Sequence, residues 1–230
     1  MPVKTRIAGL FEDRKKTLWI ASDGAGVWYL PEGSRKASPY LSSTGSPMIN
    51  SNAVYAIYED PDERKWIGTL RGGVNVIQPG SGYFRHITYS VPGQDNNINN
   101  FILSFCEDEK RNVWIGTDGA GLRYWNRADN SYRRYINKPG DKTSISSNFV
   151  TGILCDERKD IWVSTWFGGI NRLNKSTHSF EHYTCFNTAT NAEENNAWML
   201  FEDGRKMIWA STTNNGTLYT FNRKANRFEL

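Results

Sequence analysis

Cysteine and histidine are both scarce, at three residues each in a chain of 230. Cys106, Cys155 and Cys185 are too few and too widely spaced for a disulfide framework or a zinc site, so they read as free thiols packed like small apolar residues. Cys106 and Cys155 hold neighbouring places in consecutive repeats, which leaves a bridge between them open. Runs of a single charge are missing too. The 28 basic and 24 acidic residues leave a net charge of +4 but are scattered, with no basic block. Neither a nucleic acid nor an anionic membrane surface is therefore expected as a partner. No apolar run is long enough to cross a membrane and no secretory leader opens the chain, so no membrane contact is expected of this segment. No Ser-His-Asp or Cys-His set can be assembled, and no glycine-rich phosphate loop precedes a helix. No cofactor, metal or catalytic residue is expected.

Aromatic residues, by contrast, are plentiful at 13%, with nine Trp, eleven Tyr and eleven Phe. Five of the tryptophans, Trp19, Trp66, Trp114, Trp162 and Trp209, lie 47, 48, 48 and 47 residues apart. Six residues before each is an aspartate: Asp13, Asp60, Asp108, Asp156 and Asp203. Three after each is a hydroxyl (Ser22, Thr69, Thr117, Thr165, Thr212), and seven after is Gly26, Gly73, Gly121, Gly169 or Gly216. A repeat of roughly 40 to 50 residues with strand composition indicates a β-propeller. The expected fold is all-β: five repeats of about 48 residues, each a four-stranded antiparallel blade, at 5–48, 49–96, 97–144, 145–192 and 193–230.

Each repeat places an apolar first strand ahead of the acidic turn: Ile7 to Phe11, Val54 to Tyr58, Phe101 to Phe105, Val150 to Leu154 and Ala197 to Phe201. The tryptophan opens the second strand, and the glycines lead into a third through Val27, Val74, Leu122 and Ile170. Phe84, Tyr132, Phe180 and Phe228 mark the fourth strand. In the first repeat the nearest aromatic, Tyr40, is displaced and follows Pro39, and the fifth carries an extra residue in its third strand, Thr217 to Phe221. Longer polar connections run over Ser42 to Asn52, Ser90 to Asn100, Asn137 to Asn148 and Asn187 to Asn196. They and the glycine turns should share one face, with the acidic turns opposite. The repeated tryptophans bury about 150 to 250 Å² each and are read as the contact between blades. The repeated aspartates are read as caps of their own turns.

The combination I-x-[SN]-N, an apolar strand, E-D, W-I-G-T and G-G-[VL] resembles the two-component regulator propeller repeats, the sensor region of hybrid two-component systems in Bacteroides-like bacteria. It stands here as Ile49 to Asn52 with Trp66 to Thr69 and Gly72 to Val74, as Ile98 to Asn100 with Trp114 to Thr117, and as Ile145 to Asn148 with Trp162 to Thr165. The fifth repeat departs, with Ala210 and Ser211 in place of Ile-Gly. The resemblance implies a periplasmic, ligand-sensing part of a histidine kinase that detects polysaccharide-derived oligosaccharides and signals to transcription. It also implies seven blades per propeller, so that five repeats would be a partial propeller exposing two blade faces. Self-association through those faces is then expected.

Function in such a fold is sought where the repeat symmetry breaks, on the loops of one face. There Trp166, Phe167, Arg71, Asn214 and Asn215 stand out as candidate ligand-binding residues. A Trp can stack on a sugar ring, and an Arg can fork a carboxylate or sulfate. Packing against a neighbouring loop is the alternative for Trp166, and a solvated surface role for Arg71. The expected function is a non-catalytic sensor; the alternatives are an interaction scaffold binding no small molecule and a glycan-cleaving enzyme.

Overall fold

The computed structural model describes residues 5–40, 49–79, 84–87, 101–214 and 216–230. Every regular element among them is a strand. The first sheet holds β1 (Arg6–Glu12), β2 (Leu18–Asp23), β3 (Gly26–Leu30) and β4 (Ser38–Pro39); the second holds β5 (Val54–Glu59), β6 (Lys65–Thr69), β7 (Gly73–Ile77) and β8 (Phe84–Ile87). The third is β9 (Ile102–Glu107), β10 (Val113–Thr117), β11 (Leu122–Trp125) and β12 (Tyr132–Tyr135), and the fourth is β13 (Val150–Cys155), β14 (Ile161–Thr165), β15 (Gly169–Asn174) and β16 (Ser179–Tyr183). In each, strand order follows chain order, as short turns between antiparallel neighbours require. The chain divides into two compact units, Met1–Phe105 and Cys106–Leu230, with the division inside β9.

The fifth sheet differs. It has six strands, in the order β18 (Ala192–Glu194), β17 (Cys185–Asn187), β22 (Arg227–Glu229), β21 (Leu218–Asn222), β20 (Ile208–Thr212), β19 (Ala197–Glu202). The segment from Asn187 to Asn196, expected to be a plain connection, therefore contributes to a hairpin whose β17 pairs in parallel with β22, Cys185 opposite Phe228. The hairpin covers the outer strand's unpaired N–H and C=O groups, and both Cys185 and Phe228 are fully buried. The extra residue of this repeat also shows in the register. Trp162 faces Arg172, ten residues on, whereas Trp209 faces Thr220, eleven on. In the first sheet β4 is only Ser38–Pro39, yet the Tyr40 ring still lies 5.2 Å from that of Trp19.

Bulges in the first strands, between Ile7 and Gly9, Val54 and Ala56, Val150 and Gly152, and Ala197 and Met199, set the blade seams. Small residues follow three of them, and at the two glycines the reason is steric. A Cβ on Gly9 would lie 3.1 Å from the carbonyl oxygen of Tyr55 in the next first strand; one on Gly152 would lie 2.7 Å from Ser164 Oγ and 3.2 Å from the Trp198 oxygen. The fifth blade puts Met199 at this place, 59% exposed.

Candidate functional site

Each acidic turn is wound around its aspartate. In the first, Asp13 Oδ1 accepts hydrogen bonds from the backbone N–H groups of Lys15 and Thr17, both at 2.9 Å, and Oδ2 accepts the Trp19 indole N–H at 2.8 Å. The indole bond recurs from Trp66 to Asp60 at 2.9 Å, from Trp162 to Asp156 at 3.1 Å and from Trp209 to Asp203 at 3.0 Å. One side chain thus closes the turn and orients the ring. Burial works against the charge of Asp13, but the Trp19 indole, the Thr17 amide and Lys65 together hold its carboxyl below the usual range. At the half-buried Asp203 the Trp209 indole does the same. The third turn breaks the pattern: Asp108 Oδ2 accepts from Asn112 Nδ2 at 3.2 Å, and the Trp114 indole N–H has no partner among the described residues.

The glycine turns hang on the connections, on the face away from the acidic turns. Gly24 and Gly26 donate to the Asn52 carbonyl at 3.0 and 2.8 Å, Gly119 and Gly121 to that of Asn148 at 3.1 and 2.9 Å, and Gly169 to that of Asn195 at 2.7 Å. Gly169 itself cannot carry a side chain, since its φ is 71° and a Cβ would sit 2.4 Å from the Tyr183 oxygen. A second left-handed position precedes it, occupied by Gly24 and Gly119 in two blades but by Arg71 (φ 68°) and Phe167 (φ 69°) in two others. Holding a side chain there costs roughly 1 to 2 kcal/mol.

In the Cys106–Leu230 unit that strained turn carries an aromatic platform. The Phe167 N–H donates to Asn196 Oδ1 at 3.1 Å and the Trp166 N–H to the Phe149 oxygen at 2.9 Å. The Trp166 and Phe167 rings stack at 5.2 Å and 11°, with Phe149 edge-on to Phe167 at 6.2 Å and Trp198 edge-on to Trp166 at 6.3 Å. Trp166 is 39% exposed, Phe167 67% and Phe149 39%. Asn214 Oδ1 accepts the Asn196 amide at 2.9 Å, so Asn214 belongs to the same patch. Asn215 lies outside the described residues. Arg71 belongs to the Met1–Phe105 unit, where it is exposed and its guanidinium lies 5.9 Å from the Phe101 ring centre. Phe149, Asn196 and Trp198 were not evident as site residues from sequence. The available signal was Trp198 at the bulge that holds Thr151 in the preceding repeat, a place where the bulge re-aims the side chain.

A family model described as two component regulator propeller matches residues 96–119 and 144–167. Those two stretches are similar to two-component regulator propeller repeats. Among solved structures, the repeats are similar to the extracellular domain of a hybrid two component system from B. thetaiotaomicron, with a TM-score of 0.77, 21% identity, and 96% of this chain and 29% of that one covered. They are also similar to virginiamycin B lyase from Staphylococcus aureus, with a TM-score of 0.69 and 13% identity over 96% of this chain and 68% of the lyase. PorZ, a surface component of the type-IX secretion system of Porphyromonas gingivalis, is similar at a TM-score of 0.65 and 16% identity, with 97% of this chain and 33% of PorZ covered. At these identities the likeness establishes the fold: sheets of the propeller type. The chain spans less than a third of the two-component domain it matches. No curated protein matches.

Proposed function

We propose that this chain is a non-catalytic sensing module that binds an oligosaccharide on the aromatic platform, in an extracellular or periplasmic part of a two-component sensor. The observation that carries this reading is Phe167. A bulky residue held in the left-handed region at a place where two other blades use glycine serves presentation of the ring rather than folding. Stacked Trp166 and Phe167 offer a flat apolar surface for the C–H face of a sugar, and Asn196 and Asn214 bring amides to its margin. The likeness of residues 96–119 and 144–167 to two-component regulator propeller repeats supports a role for such a site in signalling. Ligand would then bias an equilibrium between arrangements of the whole sensor.

The test is a thermal-shift screen against neutral, uronic and sulfated oligosaccharides. Ligand at about 100 times its dissociation constant stabilises a two-state fold by roughly 2.7 kcal/mol. Phe167→Gly is expected to lose most of that shift while leaving the unliganded protein as stable or up to about 1 kcal/mol more stable, because the backbone strain is relieved. A variant that unfolds earlier and still binds would assign Phe167 to packing and remove the platform.

A second reading, an association surface, has its own support. Met199, Phe201 and Leu218 are each more than half exposed on the last blade and line an apolar hollow of about 440 Å³ with Trp209. A contiguous exposed apolar patch marks an interaction site. The expected result is a concentration-dependent dimer by light scattering that Phe201→Asp returns to monomer; a monomer at all concentrations removes this reading.

A further inference from the structure

The third acidic turn has lost the bond that the other four make, and the space beside it is open. Trp114 is 4% exposed, its ring packed between Tyr124 at 4.5 Å and Tyr135 at 5.8 Å, yet its indole N–H has no acceptor among the described residues. A buried donor left in this way costs about 1 to 3 kcal/mol, which a fold does not retain without compensation. Trp114 and Asp108 line a cavity of about 250 Å³, and Lys110, Arg133, Lys175 and His178 are among the other residues of its wall. In two other blades a cation of the protein lies over the repeated ring. Lys65 Nζ lies 4.9 Å from the Trp19 ring centre, and the Arg172 guanidinium 5.4 Å from that of Trp162. Tyr124 stands 48 residues before Arg172, so the third blade has a tyrosine where the fourth has its cation.

We propose that this cavity binds a single acidic sugar residue, one that carries a carboxylate or sulfate together with free hydroxyls. The sensing function proposed above supplies the identity of the ligand, whereas the site itself stands on the geometry. The Trp114 N–H donates to a ligand oxygen. Lys110, Lys175 and Arg133 supply positive charge for the acid group, and Asp108 and Glu109 accept from hydroxyls. Lys175 already holds Glu109 at 3.3 Å across the mouth. His178 is fixed by two bonds, Arg133 Nη1 to Nε2 at 2.7 Å and Nδ1 to Tyr135 Oη at 3.2 Å. A guanidinium only donates, so Nε2 accepts, the ring proton sits on Nδ1 and donates to Tyr135 Oη. The Tyr135 hydroxyl hydrogen is thereby left to point at a ligand. The cavity belongs to the acidic-turn side of the blades and shares no residue with the aromatic platform.

The test is a titration of the full chain, labelled with nitrogen-15, with glucuronate, glucose and inorganic sulfate, reading the indole N–H resonances; Trp114→Phe assigns the Trp114 signal. That substitution keeps an aromatic ring and removes no existing hydrogen bond, so the protein should fold normally. Glucuronate is expected to move the Trp114 signal saturably and glucose to move it much less. Trp114→Phe should weaken binding by about threefold to tenfold, the worth of one hydrogen bond, and Lys175→Gln by about tenfold or more. An unmoved Trp114 signal overturns the proposal, as does an equal response to sulfate alone, which would make the cavity a bare oxyanion site. Running Phe167→Gly in parallel separates the two readings. Binding lost in Phe167→Gly but unchanged in Trp114→Phe would overturn this site and leave the platform standing, while Trp114-dependent binding unaffected by Phe167→Gly would do the reverse.

Discussion

Trp162→Ala is expected to destabilise the Cys106–Leu230 unit by about 3 to 5 kcal/mol, at the upper end of the range for truncating a buried aromatic. Trp162 has no exposed surface, and its ring lies 5.4 Å from Tyr183, 4.8 Å from Phe221 and 5.8 Å from Phe228. Three aromatic neighbours cannot all collapse into the space it leaves. The second loss is polar. Asp156, 1% exposed, would keep the bond from the Asp160 amide but lose the indole donor. Denaturant unfolding of Trp162→Ala and Trp162→Phe separates the two contributions, since the Phe variant restores most of the volume and none of the hydrogen bond. Trp162→Phe should still lose about 1 to 3 kcal/mol, whereas Trp114→Phe, which has no such bond to lose, should lose much less. Equal losses in the two Phe variants would show that the aspartate–indole bond does not contribute.

Gly152→Met should be nearly as damaging, although it adds apolar volume. The new Cβ would meet Ser164 Oγ at 2.7 Å, the Trp198 carbonyl oxygen at 3.2 Å and Met199 Cα at 3.4 Å. The serine hydroxyl can turn away only by giving up its bond to the Trp198 oxygen. The backbone of β19 cannot, because it is held to the fourth blade by the Thr151 hydroxyl donating to the Ala197 oxygen at 2.9 Å and the Ser164 hydroxyl donating to that of Trp198 at 3.2 Å. Overpacking against fixed backbone costs about 1 to 3 kcal/mol or more, and opening this seam adds the loss of both bonds. The fifth blade provides the internal control. Met199 occupies the equivalent place with its side chain exposed, so Met199→Gly should cost only about 0.5 to 1 kcal/mol, from the backbone freedom of glycine in a strand. Melting temperatures of the two variants decide the matter, and similar small shifts would mean that the seam is not close-packed.

The blade pattern was legible because it rests on local chemistry repeated in every copy. Asp winds the turn six residues before Trp, an apolar run alternates before it, and glycine supplies positive φ after it. All three leave their mark at a fixed spacing, and β5, β13 and β19 begin where their apolar runs begin. The hairpin of β17 and β18 left no such mark. Among the described residues it forms once, where an outer strand needs an edge cover, and its partner β22 is about forty residues away in the chain. The aromatic platform was half legible. Trp166 and Phe167 break the repeat visibly, but Phe149 and Trp198 join them from other strands. The Trp114 cavity was hidden, because Trp114 and Asp108 match the repeat perfectly and differ from the other copies only in a hydrogen bond.

Sequence alone therefore determined the all-β class, the repeat and the turn residues, since each follows from contacts within a few residues of one another or within one blade. Tertiary structure decided what a repeat does when it meets its neighbour. It determined that Asn112 takes the carboxylate oxygen that a tryptophan takes elsewhere, that Phe167 is held in a conformation other blades give to glycine, and that Met199 faces outward where Gly152 is covered. Those outcomes depend on the competition among side chains brought together from distant parts of the chain, and a local pattern carries no record of which one wins.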